Sequence, residues 1–189
     1  MPRLVVFDHI TLDGHFCGPA GDISFFGAGM KDSEFHTFAE ENICAADALL
    51  FGRVTYDLMF SYWPKPDPIK NDPVVAGRLN NLPKFVCSRT LTSSPWNNTR
   101  ILKGGLASEV RKLKNEGPGS RISILGSGSI VAQLAPLGLI DEFEIVIDPV
   151  AIGAGRSLFD GLSQPVNLRL TNTRTFRNGN ILLHYQPSP

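Results

Sequence analysis

A chain of 189 residues with 18 Lys and Arg against 18 Asp and Glu carries no formal net charge, so bulk electrostatics draw it neither to nucleic acid nor to an anionic membrane, and any anion site must be built locally. The length suits one well-packed domain, and 42% hydrophobic with 19% charged residues is the balance of a soluble globular protein. No apolar run approaches the roughly 20 residues of a membrane span, Met1-Pro2-Arg3 opens no signal-peptide plan, and Cys17, Cys44 and Cys87 fall outside any Cys-x-x-Cys spacing; a cytoplasmic protein with reduced thiols is expected.

Strand and helix signals then alternate. Leu4 to Phe7 reads as a compact apolar run, and Asp13-Gly14 followed by Gly18, Pro19, Gly21, Gly27 and Gly29 as a long glycine-rich loop. Asp32 or Ser33 caps a helix whose apolar stripe is Phe35, Phe38, Ala39, Ile43 and Ala46. Ala48 to Phe51 reads as a second buried strand, which Gly52-Arg53-Val54-Thr55 turns into a helix running to about Tyr62. Trp63 to Pro73 holds four prolines and reads as a loop, after which Asp72 as cap and Pro73 in the first helical position open a helix that Pro83 ends. Phe85 to Cys87 is a third strand, closed by Ser88-Arg89, and Ile101-Leu102 a short fourth. Leu106, Val110 and Leu113 mark a helix stopped by Gly117-Pro118.

The stretch from Ile122 to Leu134, ISILGSGSIVAQL, joins an apolar run to two glycines and a helix. Gly126 and Gly128 permit close approach of a ligand to the main chain, and Ser127 and Ser129 can cap a helix starting near Ile130, so that its first N–H groups face a phosphate. The strict dinucleotide motif wants a third glycine where this chain has Val131. A plain glycine connector therefore explains the stretch as well. Further on, Phe143, Ile145 and Ile147 form one face of a strand over Glu142 to Ile147, and Asn178-Gly179 joins Asn167 to Phe176 with Ile181 to Tyr185 as a hairpin. The order predicts an α/β fold with about eight strands, mostly parallel, ended by an antiparallel hairpin.

Ligands of open α/β sheets bind beyond the carboxyl ends of the strands, where this chain shows one theme three times. Arg53 is a cation at a helix start, unfavourable against the dipole unless an anion intervenes. Ser88 and Arg89 offer the hydroxyl and guanidinium fork suited to a ribose 2′-phosphate, and the turn from Gly126 to Ser129 would cradle a pyrophosphate. Taken singly, Arg53 and Arg89 also suit plain solvent-facing positions.

Together LLFGRVTYD (Leu49 to Asp57), KFVCSRTL (Lys84 to Leu91), ILGSGSIVAQL and GLIDEFEIVIDPVAIGAGRSLF (Gly138 to Phe159) resemble the dihydrofolate-reductase-like superfamily. The similar branch is the one named for the C-terminal reductase domain of the bifunctional riboflavin-biosynthesis deaminase-reductase, and the resemblance runs from Leu4 to Pro187. It implies a three-layer dihydrofolate-reductase-like fold, NADPH as cofactor, a small pteridine- or pyrimidine-like heterocycle as substrate, and a homodimer. By position it implies that Gly52, Arg53 and Thr55 contact the cofactor phosphates and ribose, and that Ser88 and Arg89 lie near the 2′-phosphate. Leu125, Gly126, Ser127, Gly128, Ser129 and Ile130 match the pyrophosphate turn, and Gly153, Gly155 and Arg156 a turn that closes the cleft.

The resemblance also sets Asp13, in Asp13-Gly14, near the nicotinamide and substrate, as the catalytic candidate that orients substrate or relays a proton. Dihydrofolate reductases carry a carboxylate on the first helix, where this chain offers His36, Glu40 and Glu41, none in the centre of the apolar stripe. This departure disfavours folate reduction. His36 and Glu40, one turn apart on a flank, are the substrate-side candidates. Phe25, Phe26, Tyr62 and Trp63 could wall a ring pocket or anchor loops, and His9, His15 and His184 show no metal-site spacing. Two other readings stay open: a non-catalytic NADPH-binding sensor or assembly module, and a conventional NAD enzyme in which Asp148, 22 residues beyond Gly126, holds the ribose hydroxyls. The latter wants the glycine turn early in the chain, whereas here it comes late.

Overall fold

Strands buried on both faces need cover on both, and this chain supplies it by alternating them with amphipathic helices. The structure, a computed structural model, describes residues 1–188, with the side chains of all of these except 28–31. β1 (Arg3–Thr11) and the short β2 (His15–Cys17) lead through a 3-10 helix over Ser24–Lys31 to α1 (Ser33–Cys44) and β3 (Ala48–Gly52). Then come α2 (Arg53–Tyr62), α3 (Pro66–Asn71), α4 (Pro73–Asn81), β4 (Lys84–Cys87), β5 (Thr99–Leu102) and α5 (Leu106–Glu116). β6 (Arg121–Leu125), α6 (Gly128–Leu134), β7 (Glu142–Asp148), β8 (Arg156–Ser157), β9 (Leu168–Thr175) and β10 (Ile181–Pro187) complete the chain.

The main sheet has eight strands in the order β5-β4-β3-β6-β1-β7-β10-β9. The first six run parallel, and β10 and β9 are antiparallel to their neighbours. On one face Ile43, Tyr56, Val75 and Leu79 from α1, α2 and α4 pack on Leu49, Phe51 and Val86. On the other, Val110 and Leu113 of α5 and Ile130, Val131 and Leu134 of α6 cover Leu4, Val6, Leu50, Ile122 and Ile124. Each such side chain, taken fully from water, contributes about 1.5–3 kcal/mol. Phe35 and Phe38 continue the first layer over Val146, Phe176 and Leu182. The expected α/β sheet with its closing hairpin is the observed one.

Three local features depart from expectation. The proline-rich segment contains α3, because Pro66 and Pro68 occupy first-turn positions whose N–H groups need no helical acceptor. The glycine-rich loop winds into the 3-10 helix, and β2 pairs with β8 as a separate two-stranded ribbon. α1 ends at Cys44, so Ala46 is buried beyond the helix rather than on its stripe.

The register also leaves a step in the sheet. β6 ends at Leu125 beside Phe7, whereas β1 and β7 stay paired through Thr11 and Asp148. The overhang is four residues of β1, about 13 Å of strand.

Asp47, between α1 and β3, fixes the start of β6. Its Oδ2 accepts the Ser120 and Arg121 backbone N–H groups at 2.6 and 3.0 Å and the Ser120 hydroxyl at 3.1 Å. These donors, the Ser120 amide foremost, hold its carboxyl below the usual range. A depressed carboxylate stabilises fully above its unfolded value of about 3.9 and loses that contribution as pH falls through the folded value. Asp47→Asn should therefore cost about 1 kcal/mol near neutrality, the site being partly solvated. Urea unfolding should show the deficit at pH 7 and a smaller one at pH 3.

Candidate active site

β3 and β6 are neighbours, yet the helices that follow them part: α2 packs on the α1 and α4 face and α6 on the α5 face. A crevice opens where consecutive crossovers diverge in this way. It is a cleft of about 440 Å³ lined by Gly52, Arg53, Thr55, Ser88, Arg89, Ser127, Ser129 and Ile130, with Glu109 of α5 facing in. Of the sequence-derived cofactor candidates, Leu125, Gly126 and Gly128 are not among its lining residues.

Ser127 does not cap α6 as expected. The helix begins at Gly128, and Ile130 and Val131 donate their N–H groups to the Ser127 carbonyl, while the side chain makes no capping bond. Instead the Ser127 hydroxyl accepts the Gly52 N–H at 2.8 Å and donates to Thr55 Oγ1 at 2.9 Å. Its backbone is left-handed, φ 67°, a conformation costing a non-glycine residue about 1 kcal/mol that these bonds offset. Gly126 also has positive φ, 56°, and a Cβ there would stand 3.2 Å from Thr55 Oγ1. Gly128 is needed for another reason than ligand approach: a Cβ would meet the Phe16 ring at 3.0 Å and the Leu158 carbonyl oxygen at 3.2 Å. Ser129 is exposed at the rim, its carbonyl accepting from Gln133 Nε2.

Nor does Arg53 depend on a ligand to relieve its conflict with the helix dipole, since its Nε donates to Asp57 Oδ2 at 2.6 Å one turn on. The first N–H groups of α2 have no helical acceptor by geometry. Ser88 Oγ accepts the N–H groups of Thr90 and Leu91 at 3.3 and 3.0 Å. Its hydroxyl also lies 3.5 Å from Thr90 Oγ1, so the two hydroxyls share one donor toward the cleft. Arg89 is exposed and, among the described residues, makes no hydrogen bond or ion pair. Orphan amides, hydroxyls and an unpaired guanidinium form a donor set that fits a polyphosphate nucleotide. Burial, reinforced by the Glu109 charge, pushes the Cys87 thiol up to about 11, so this cleft cysteine is not a nucleophile at neutral pH.

The substrate-side candidates lie elsewhere. Asp13, just beyond β1, accepts from Thr11 Oγ1 at 2.6 Å and from the backbone N–H groups of Gly153 and Ile152 at 2.7 and 3.1 Å. These donors, Thr11 first, hold its carboxyl far below the usual range. It therefore ties the β1–β2 turn to the loop after β7. His36 and Glu40 point at the start of α4: His36 Nε2 is 3.4 Å from Oδ2 of Asp72, the α4 cap, and Nδ1 is 3.9 Å from Glu40. Neither lines the cleft. Glu41 is exposed. Arg156 donates to Cys17 Sγ and lies over the Phe16 ring, so the Gly153 to Arg156 turn secures the ribbon rather than the cleft.

Asp148 is not free to hold a ribose. It is 3% exposed, with Oδ2 at 2.8 Å from His9 Nδ1 and Oδ1 accepting from Asn180 Nδ2 at 3.0 Å. No sequence spacing announces this pairing, because β1 and β7 are separated by most of the chain. Asp8, on the opposite face, accepts the His9 N–H at Oδ1 while Oδ2 is buried without a partner. Burial pushes its carboxyl up to about 8. Glu142, Glu144 and His184 also cluster, but Arg121 grips Glu144 bidentately and Arg3 pairs with Glu142.

Two substitutions separate structure from ligand here. Gly128→Ala should cost about 1–3 kcal/mol through overpacking against Phe16 and Leu158, read as a lower urea midpoint without any nucleotide present. For Asp8, the unfolded carboxyl ionises from about pH 3.9 while the folded one keeps its proton to about 8, so stability is lost as pH rises through that window. Asp8→Asn should accordingly gain stability relative to the native chain between pH 5 and pH 8. A difference independent of pH would contradict the buried neutral acid.

The model of the RibD C-terminal domain family matches residues 2–182. Among curated relatives, the uncharacterized protein YyaP of Bacillus subtilis (strain 168) is 32% identical over 183 residues, covering 97% of this chain and 94% of that protein. YwjB of the same organism is 26% identical, covering 97% of each. A putative riboflavin biosynthesis protein from Shewanella sp. PV-4 shares the fold with a TM-score of 0.74 at 22% identity over 99% of both chains. The Thermotoga maritima diaminohydroxyphosphoribosylaminopyrimidine deaminase/5-amino-6-(5-phosphoribosylamino)uracil reductase superposes with a TM-score of 0.69 at 16% identity, over 99% of this chain and 57% of that one. The fold is dihydrofolate-reductase-like, and the chain belongs to the RibD C-terminal domain family.

Proposed function

We propose that this chain is a single-domain, cytoplasmic, homodimeric reductase that uses NADPH to reduce a small pteridine- or pyrimidine-like heterocycle. The observation that carries the reading is the convergence of three distant strand ends, at Gly52-Arg53-Thr55, at Ser88-Arg89 and at Ser127, Ser129 and Ile130, on one cleft that holds the Arg53 and Arg89 guanidiniums and several hydroxyls. Membership of the RibD C-terminal domain family supports it, as does the uracil reductase named in the Thermotoga maritima neighbour, which supports a pyrimidine-like ring over a folate.

In this reading the α2 amides and Arg53 hold the cofactor phosphates, and Thr55 stays in place through its bond to Ser127. Ser88 and Arg89 receive the 2′-phosphate, where a planar guanidinium donates two parallel bonds. Asp13 acts through position and charge, holding the turn at the end of β1 against the Ile152–Gly153 backbone. A bound reduced nicotinamide supplies the hydride, and the protein supplies placement and electrostatics.

The test is calorimetric titration of NADPH and NADH. Loss of a charge-assisted contact in Arg89→Ala should weaken NADPH about 10- to 100-fold and leave NADH nearly unchanged. Equal, weak binding of both, indifferent to Arg89→Ala, would remove the 2′-phosphate assignment.

A further inference from the structure

His9 sits on the overhang of β1, two residues beyond Phe7, where β6 has already ended. Its ring is turned to the α1 face, 5.6 Å from Phe35 and 5.5 Å from Phe26 between ring centres. Asp148 binds Nδ1, and Asn180, fully buried, holds the second oxygen of Asp148. A carboxylate on Nδ1 fixes both the tautomer and the ring plane, leaving Nε2 as the atom that can exchange a proton. Among the described residues Nε2 has no partner, and the side chain stays 18% exposed. The cleft reaches the same carboxyl edge through Ser127, two residues beyond the end of β6, the strand next to β1. A ring carried past the glycine turn would meet the step formed by β1 and β7.

Resting on the reductase reading, we propose that His9 is the catalytic proton donor to the substrate, with Asp148 and Asn180 as its positioning residues and Phe26 as a wall of the ring site. Reduction of a C=N or C=O bond breaks the π bond, forms a C–H bond with the hydride of the reduced dinucleotide, and leaves the former π pair on the heteroatom. The proton on Nε2 of the His9 imidazolium closes that valence as N–H or O–H, leaving an oxidised dinucleotide and neutral imidazole. Solvent returns the proton. Asp13 is engaged otherwise, its carboxylate held by the Thr11 hydroxyl and the Ile152 and Gly153 amides. Around His9 stand Asp148 from β7, Asp8 from the other face of β1, and Asp13 with His15 just beyond β1, while α1, the 3-10 helix and the hairpin turn before β10 present Phe35, Phe26 and Asn180.

The first measurement is NMR of the full chain with ¹⁵N-labelled histidine. Saturating NADPH should shift His9 Nε2, and 2′,5′-ADP, which is the adenosine half alone, should not. Failure of the native chain to bind NADPH at all overturns the reductase reading and this proposal with it; binding without any shift at His9 overturns the proposal alone. The second uses 5-amino-6-(5-phosphoribosylamino)uracil as substrate probe. His9→Gln should lower kcat about 10²-fold or more and keep NADPH affinity within about twofold, as expected for a residue remote from the phosphates. Asp148→Asn should lower kcat less, with the same affinity. Unchanged kcat in His9→Gln would also overturn the proposal. Retained NADPH affinity is the check on folding for both variants, and whether or not that uracil is reduced, the Nε2 shift decides.

Discussion

The Ser127 hydroxyl is the small contact on which the cleft depends. β3 and β6 lie side by side, but the chain leaves them in opposite directions, α2 to one face and α6 to the other. Divergence creates the crevice and also leaves its two rims without shared backbone hydrogen bonds. Ser127 joins them, accepting from Gly52 and donating to Thr55. Both glycines at the junction follow from that closeness: a Cβ at Gly52 would stand 3.2 Å from Ser127 Oγ, and one at Gly126 would press on Thr55. The left-handed backbone at Ser127 is then the cost of turning its hydroxyl across the gap instead of along its own helix.

That geometry explains why the glycine turn was legible in the sequence and partly misread. ISILGSGSIVAQL declares a strand, a break and a helix through its apolar run and its two glycines, and all three are present. What each glycine and serine touches depends on chains far away in sequence. Gly128 meets Phe16 and Leu158, Ser127 meets Gly52 and Thr55, and Arg53 finds Asp57. Hydrophobic periodicity and caps located β3, β4, β6, β7, α1, α4 and α5, because those signals are local. α3 is hidden by its prolines, which signal a loop by composition yet are tolerated in a first turn. Helical spacing sets His36 and Glu40 on a flank of α1, but only the packing of α1 on α4 shows that this flank faces Asp72.

The antiparallel hairpin has consequences beyond closing the sheet. Without β10, β7 would be an edge strand and Asp148 a carboxylate at its open end. The Asn178-Gly179 turn returns the chain so that Asn180 is buried against Asp148, and Phe176 joins Phe35 and Phe38 in the layer beneath. The C-terminal segment thus shapes the end of β1, although it lies three places away in the sheet from the strand that carries the glycine turn.

Three carboxylates flank the end of β1, and the donors around each decide what it can do. Asp13 receives a hydroxyl and two backbone amides, so it remains an anion and holds a loop. Asp148 receives an imidazole and a carboxamide, one on each oxygen, so its lone pairs are spent on orienting His9. Asp8 receives one backbone N–H and is otherwise enclosed, so it keeps its proton near neutrality. Alternation along β1 sends Asp8 to one face and His9 to the other. The imidazole is therefore separated by the sheet from the acid beside it in sequence and joined to the one contributed by β7. Pairing of parallel strands in register, more than proximity along the chain, selects the partner that a titrating side chain receives.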